Sequence, residues 1–124
     1  MCIRDSLYSE SVMNPVNVNY IEPKYETEQQ QVVDGRIILR DNFDQILTKY
    51  KNVLIFGQDS GKIGGVNQGL EGLQKKYGEI RVFDTGIREA TIIGQGIGLA
   101  LRGLRPIAEI QYLDYLLYLS LIHI

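Results

Sequence analysis

From residue 38 onward the hydrophobic positions alternate between two patterns. Leu39, Phe43, Ile46, Leu47 and Tyr50 recur at spacings of three and four, which predicts a helix over Ile38 to Tyr50 with one apolar face. Val53-Leu54-Ile55-Phe56 is a short continuous apolar run stopped by Gly57, the pattern of a strand buried on both faces. Val66, Leu70, Leu73 and Tyr77 step by four, three and four, so 66–77 is predicted as an amphipathic helix with Gly78 at its C-terminal cap. Ile80 to Phe83 predicts a second buried strand. Arg88 to Gly103 is apolar nearly all round, with Ile92, Ile93, Ile97, Leu99, Ala100 and Leu101 surrounding Gly94, Gly96 and Gly98. Each glycine costs about 1 kcal/mol of helix propensity relative to alanine, so three of them predict that another backbone packs very close. Arg105-Pro106 opens a third strand, Ile107 to Tyr112, with proline tolerated at its start. Asp114 to Leu117 begins a further helix.

Helix and strand alternating at these lengths imply right-handed crossovers and an α/β fold, a parallel sheet with flanking helices on both faces. Residues 7–36 break the pattern. Pro15, Pro23 and Gln29-Gln30-Gln31 interrupt a polar stretch with no sustained period, which reads as an extended arm or linker. Residues 1–6 (Met1-Cys2-Ile3-Arg4-Asp5-Ser6) and 119–124 (Leu119-Ser120-Leu121-Ile122-His123-Ile124) resemble translated sequencing-adaptor stretches and are set aside from fold reasoning. There are no internal repeats.

Setting the ends aside removes the one Cys (Cys2) and the one His (His123). No zinc site, cysteine nucleophile or Ser-His-Asp triad can then be built. A net charge of -2, with Lys and Arg scattered, gives no electrostatic case for nucleic acid. No apolar run approaches the roughly 18 residues of a membrane span. Ile3 to Val12 is too polar to supply the apolar segment of a signal peptide, so a cytosolic location is the expectation.

Ligands of parallel α/β sheets bind beyond the carboxyl ends of the strands. Three segments are expected to meet there: Gly57 to Gly65, Thr85 to Glu89 and Tyr112 to Tyr115. The first, GQDSGKIGG, fails as a phosphate-binding P-loop because Gly61-Lys62 comes one residue too soon and Ile63 stands where the metal-binding hydroxyl belongs. It reads instead as a strand-to-helix turn needing positive φ. The carboxylates in reach are Asp59, Asp84, Glu89 and Asp114, with Tyr112 and Tyr115 as aromatic surfaces. Each also has a structural reading: Glu89 as a first-turn acid, Asp59 and Asp84 as turn or cap residues, the tyrosines as core or interface.

Residues 53–118 resemble a known family, through VLIFGQDSGKIGGVNQGLEGLQKKYG and RVFDTGIREATIIGQGIGLALRGLRPIAEIQYLDYLLY. The similarity is to the pyrimidine-binding domain of the β subunit of thiamine-diphosphate-dependent 2-oxo acid dehydrogenases, the E1 component of the pyruvate and branched-chain complexes. GIGLALRGLRPIAEIQYLDY is nearer the branched-chain type, with pyruvate and acetoin dehydrogenases as alternatives. The arm before residue 37 is similar to the linker of chains in which α and β are fused. Residues 37–118 would be a partial, transketolase-like pyrimidine-binding domain.

The resemblance implies that Glu89 bonds N1′ of the aminopyrimidine of thiamine diphosphate, that the backbone of Ile87 approaches that ring, and that Tyr115 stacks on it. It also implies an E1 α subunit or half that binds the diphosphate and its Mg²⁺, an α2β2-type assembly, and a lipoyl-bearing E2 acyltransferase as acceptor. No metal ligand is expected in this chain. Two positions depart from the family pattern: Gly86 replaces the usual Pro, and Gln58 stands where Glu is usual. Taken alone, the chain reads as a non-catalytic fragment able to pair with an α-type partner. A transketolase or deoxyxylulose-phosphate synthase fits GGVNQGL and EIQYLDY less well.

Overall fold

The computed structural model describes Ile21, Glu22, Lys24 and residues 32–119. Most of the expected arm and the two adaptor-like ends, apart from Leu119, therefore lie outside the described residues. The chain divides into two units, Met1–Val32 with Leu121–Ile124, and Val33–Ser120. In the first unit Ile21, Glu22, Lys24 and Val32 carry no regular secondary structure.

The second unit contains α1 (Gly35–Lys49), β1 (Val53–Gly57), α2 (Leu73–Tyr77), β2 (Val82–Asp84), α3 (Glu89–Leu101), β3 (Arg105–Glu109) and α4 (Leu113–Leu116), followed by a 3₁₀ turn at Leu117–Leu119. The strands form one sheet of order β2-β1-β3. Both pairings are parallel, with Ile55 beside Val82 and Ile107, and Phe56 beside Phe83 and Ala108. The fold class and the order of elements are those the sequence predicts.

Strand side chains alternate between faces, so β1 in the centre sorts the core into two layers. Val53 and Ile55 join Leu47, Leu70, Leu73 and Val82 in one buried cluster, with Phe43, Ile46, Tyr77 and Ile107 packed against it. The opposite face carries Phe56, which is fully buried and stacks on Phe83 at 4.9 Å between ring centroids. There a β-carbon at Gly96 of α3 would lie 3.6 Å from Ala108 Cβ and 3.9 Å from Phe56 Cζ. All five β1 residues are buried, as a strand covered on both faces requires.

Helix ends follow local chemistry. Asp34 caps α1 by accepting from Arg36 N at 3.1 Å, so the helix starts at Gly35, ahead of the periodic run. At its other end the Arg81 guanidinium donates to Leu47 O in the last turn and to Tyr50 O at the cap, and it also donates to Val53 O at the start of β1. Within the predicted apolar face Leu47 is buried, but Leu39 remains 55% exposed. Helix α3 ends in a Schellman pair, Gly103 N to Ala100 O and Leu104 N to Leu99 O, with Gly103 at φ 84°.

Four expectations need correction. Only Leu73–Tyr77 of the predicted 66–77 helix is helical, although Gly78 caps it as expected, at φ 86°. Gly64, Gly65, Gln68 and Gly72 all take positive φ, and residues in that conformation cannot continue a right-handed helix. Leu70 and Leu73 still reach the core, so the spacing reports burial rather than helix. The second strand begins at Val82, and Ile80 is 85% exposed in the turn closed by Arg81 N to Gly78 O at 3.1 Å. The third strand spans Arg105–Glu109 and stops short of Tyr112. Among the described residues, Gly96 alone of the three helical glycines meets close neighbours, and none places an atom within 4 Å of a β-carbon at Gly94 or Gly98.

Candidate functional site

The carboxyl ends of all three strands are tied together by the glycine loop. Gly57 O, the last acceptor of β1, receives Thr85 N at 2.9 Å. Asp84 ends β2, and its carboxylate accepts from Gly61 N at 2.6 Å and from Lys62 N at 3.0 Å. Glu109 ends β3 and accepts from Ser60 Oγ at 3.0 Å, the serine being fully buried. Beyond it, Gln111 Nε2 donates to Gln58 O at 3.2 Å. The glycine loop thus meets Thr85 of the second predicted segment directly, whereas its partners after the third strand, Glu109 and Gln111, lie just before the predicted segment Tyr112 to Tyr115.

Consecutive loop amides pointing one way make a natural anion cradle. Here the amides of Gly61 and Lys62 already hold an anion of the chain's own, the Asp84 carboxylate. That agrees with the failed P-loop match and with the turn reading of the loop. A β-carbon at Gly61 would lie 3.0 Å from Asp84 N and Oδ1, so glycine there permits the approach. Asp84 is thus a backbone-bonding turn residue, as expected, although its partners lie in another loop. Asp59 takes φ 59°, and its carboxylate accepts a 3.4 Å bond from Gln111 Nε2 rather than from a nearby amide.

From Asp84 the chain turns through Thr85, Gly86 and Ile87 into α3. Arg88 precedes the helix in extended conformation and provides no side-chain cap, so Glu89 is the acid of the first turn. Glu89 is half-buried and Ile87 is 79% exposed. On the other side α4 begins after Tyr112, whose ring meets Tyr115 edge-on at 5.8 Å. Between them lies a recess of about 410 Å³ lined by Ile87, Arg88, Glu89, Ala90, Tyr115 and Leu119.

Three of the predicted site residues, Ile87, Glu89 and Tyr115, therefore share one recess. Tyr112 reaches it through Tyr115, while Asp59, Asp84 and Asp114 do not line it. Leu119, set aside with the adaptor-like end, does line it. Sequence reasoning missed Arg88 on its wall, and missed Ser60, Glu109 and Gln111 beneath the loop; these are isolated polar residues joined only by the fold.

The recess can hold a flat heteroaromatic ring. Its size falls within the roughly 300–1,000 Å³ of small-molecule sites. Glu89 offers a proton partner at the edge, Tyr115 a partly exposed ring, and Ile87 an accessible main chain. Among the described residues no group of Asp, Glu, His or Cys is arranged to hold a metal ion. The described residues also contain no helix long and apolar enough to cross a membrane.

Over 99 residues, 79% of this chain, the sequence is 46% identical to the 2-oxoisovalerate dehydrogenase subunit beta of Pseudomonas aeruginosa. It is 54% identical over 69 residues to the pyruvate dehydrogenase E1 component subunit beta of Acholeplasma laidlawii, and 50% over 74 residues to that of Mycoplasma pneumoniae, matches covering 56% and 60% of the chain. The matched stretches span 28%, 21% and 23% of those proteins, so the chain corresponds to about a quarter of their length. Residues 31–122 match the family model described as transketolase, pyrimidine binding domain. The chain belongs to the transketolase pyrimidine-binding domain family.

Proposed function

We propose that this chain is the pyrimidine-holding part of a β-type E1 component, acting in thiamine-diphosphate-dependent oxidative decarboxylation of a 2-oxo acid with acyl transfer to a lipoyl carrier. The observation that carries this reading is the shared recess: Ile87, Glu89 and Tyr115 line one cavity at the carboxyl end of the sheet. When bound, thiamine diphosphate supplies the acidic C2 carbon and the electron sink. Glu89 holds a proton at N1′ of the aminopyrimidine, general acid–base work that needs a carboxyl fixed within hydrogen-bond reach. Tyr115 would stack on the ring, and the Ile87 main chain would approach it.

This leaves the diphosphate and Mg²⁺ to an α-type subunit or half, in an α2β2-type assembly that delivers the acyl group to a lipoyl-bearing E2. The open flank of α3 supports such pairing, with Gly94 and Gly98 uncovered and Ile97 and Leu101 exposed. A cytosolic location fits this role. The 99-residue similarity to a 2-oxoisovalerate subunit favours a branched-chain substrate. The 54% identity over 69 residues to a pyruvate-type subunit supports pyruvate as a second reading, so both acids belong in the assay.

The test is Glu89→Ala in the assembled parent enzyme. Exchange of the thiazolium C2 proton should fall by about 10²–10⁴-fold, the usual worth of a positioned acid–base group. Near-normal exchange would sink the assignment. Residues 1–124 alone, given thiamine diphosphate and an α-type chain, should show no decarboxylation.

A further inference from the structure

We propose that Asp84 is a positioning residue for Glu89, acting by holding the glycine loop against the start of the β2–α3 turn. This rests on the reading of Glu89 given above. Only Thr85 to Arg88 separate Asp84 from Glu89, and three of those four residues, Gly86, Ile87 and Arg88, are exposed. The turn has two anchors. One is at its start, where Asp84 accepts from Gly61 N (2.6 Å) and Lys62 N (3.0 Å) and Thr85 N donates to Gly57 O (2.9 Å). The other is at Arg88, whose carbonyl receives the first helical amides, Thr91 N and Ile92 N, at 3.0 Å.

Between the anchors the bond from Arg88 N to Gly86 O, at 2.9 Å, lies within the turn itself and does not tie it to the sheet. Among the described residues Gly86 has no atom within 4 Å of a β-carbon position, and glycine is the most permissive residue type available. The anchor at Asp84 therefore sets where the turn departs from the sheet, and with it the height of Ile87 and Glu89 over the recess. Gly61 serves the same contact from the loop side, since a β-carbon there would meet Gln74 Nε2 as well as Asp84. The bond from Gln74 Nε2 to Val82 O, at 3.0 Å, ties that neighbour to β2 and leaves little room for it to yield.

The experiment compares variants in the assembled parent enzyme. Asp84→Ala should slow C2 proton exchange at saturating cofactor, and lower kcat, by about 10- to 100-fold, the scale of an ångström-sized misplacement. KM for the 2-oxo acid should stay within about twofold, because ground-state substrate binding is untouched. Without cofactor, amide hydrogen exchange should quicken at Gly61, Lys62 and residues 85–89, while the sheet amide of Ile55 stays protected. Asp84→Asn keeps one acceptor oxygen and should fall between, and it serves if the alanine variant does not assemble. Gly61→Ala should reproduce Asp84→Ala, and the double variant should be no slower than either alone within about twofold, since both break one contact. Wild-type C2 exchange in an assembled Asp84→Asn enzyme, unchanged amide protection across 85–89, or additive effects in the double variant would each overturn the proposal. Glu89→Ala run in parallel separates the two readings. If it abolishes exchange while the Asp84 variants behave as wild type, only the positioning role fails. If it leaves exchange near normal, the role of Glu89 fails, whatever the amide protection shows about the turn.

Discussion

Gly86 occupies the position where the turn carrying Glu89 has most freedom, and the backbone there does not require glycine. Its φ lies outside the left-handed region, no atom approaches its β-carbon position, and its carbonyl accepts from Arg88 N at 2.9 Å. A residue with fewer unfolded conformations should therefore stabilise the chain. Gly86→Pro leaves that carbonyl acceptor in place and should raise unfolding stability by about 0.4–1 kcal/mol, read from the thermal midpoint. A lowered midpoint would show that proline strains the turn. At this scale the sequence was readable where a residue type has a local meaning: Glu89 in the first helical turn, and glycines in the loop after β1. It was not readable where meaning depends on a distant partner. Nothing local to Asp84 identifies the amides of Gly61 and Lys62, and nothing local to Ser60 or Glu109 identifies the other. Tertiary folding alone brings each pair together.

At the scale of elements, periodicity worked where one helix face meets a layer and failed where a loop buries side chains without helical backbone. Leu70 and Leu73 point into the core at helical spacing, yet four positive-φ residues carry the chain there by turns. The same limit applies to α3, where the three glycines look equivalent in sequence. The fold separates them: Gly96 faces Ala108 and Phe56, while Gly94 and Gly98 face open space. Gly94→Ala or Gly98→Ala should therefore stabilise the isolated chain by up to about 1 kcal/mol through helix propensity, measured by chemical unfolding. If an α-type partner packs on that flank, the same substitutions should weaken assembly with it, measured by sedimentation. Stabilisation without any loss of assembly would place the partner elsewhere.

Across the whole second unit, the sheet and its two covered faces were legible because β1 is a continuous apolar run, which only a strand covered on both sides can bury. How α1 is joined to α2 was not legible, since that tie is polar. Lys76 Nζ lies 2.7 Å from both Asp44 carboxylate oxygens, and the Tyr77 hydroxyl lies 2.7 Å from Asp44 Oδ1. The bond from Lys76, then that from Tyr77, holds the Asp44 carboxyl below its ordinary value of 3.8. The bond to Asp44 in turn lifts the Lys76 ammonium above 10.5. A depressed carboxyl contributes stability that is present above its unfolded value and is lost as pH falls through the lower folded value. A raised ammonium contributes stability that is present below its unfolded value and is lost as pH rises through the higher folded one. This tie should thus be constant between 3.8 and 10.5 and should weaken outside that window. The Lys76 side chain is 56% exposed, so water and salt screen the pair and its share of stability is small. The decisive measurement is therefore site-specific. The Asp44 carboxyl, followed by NMR, should titrate below 3.8 in the folded chain and move up towards that value in Lys76→Met. An Asp44 that titrates at its ordinary value with Lys76 in place would mean that the two helices are held by their apolar contacts alone.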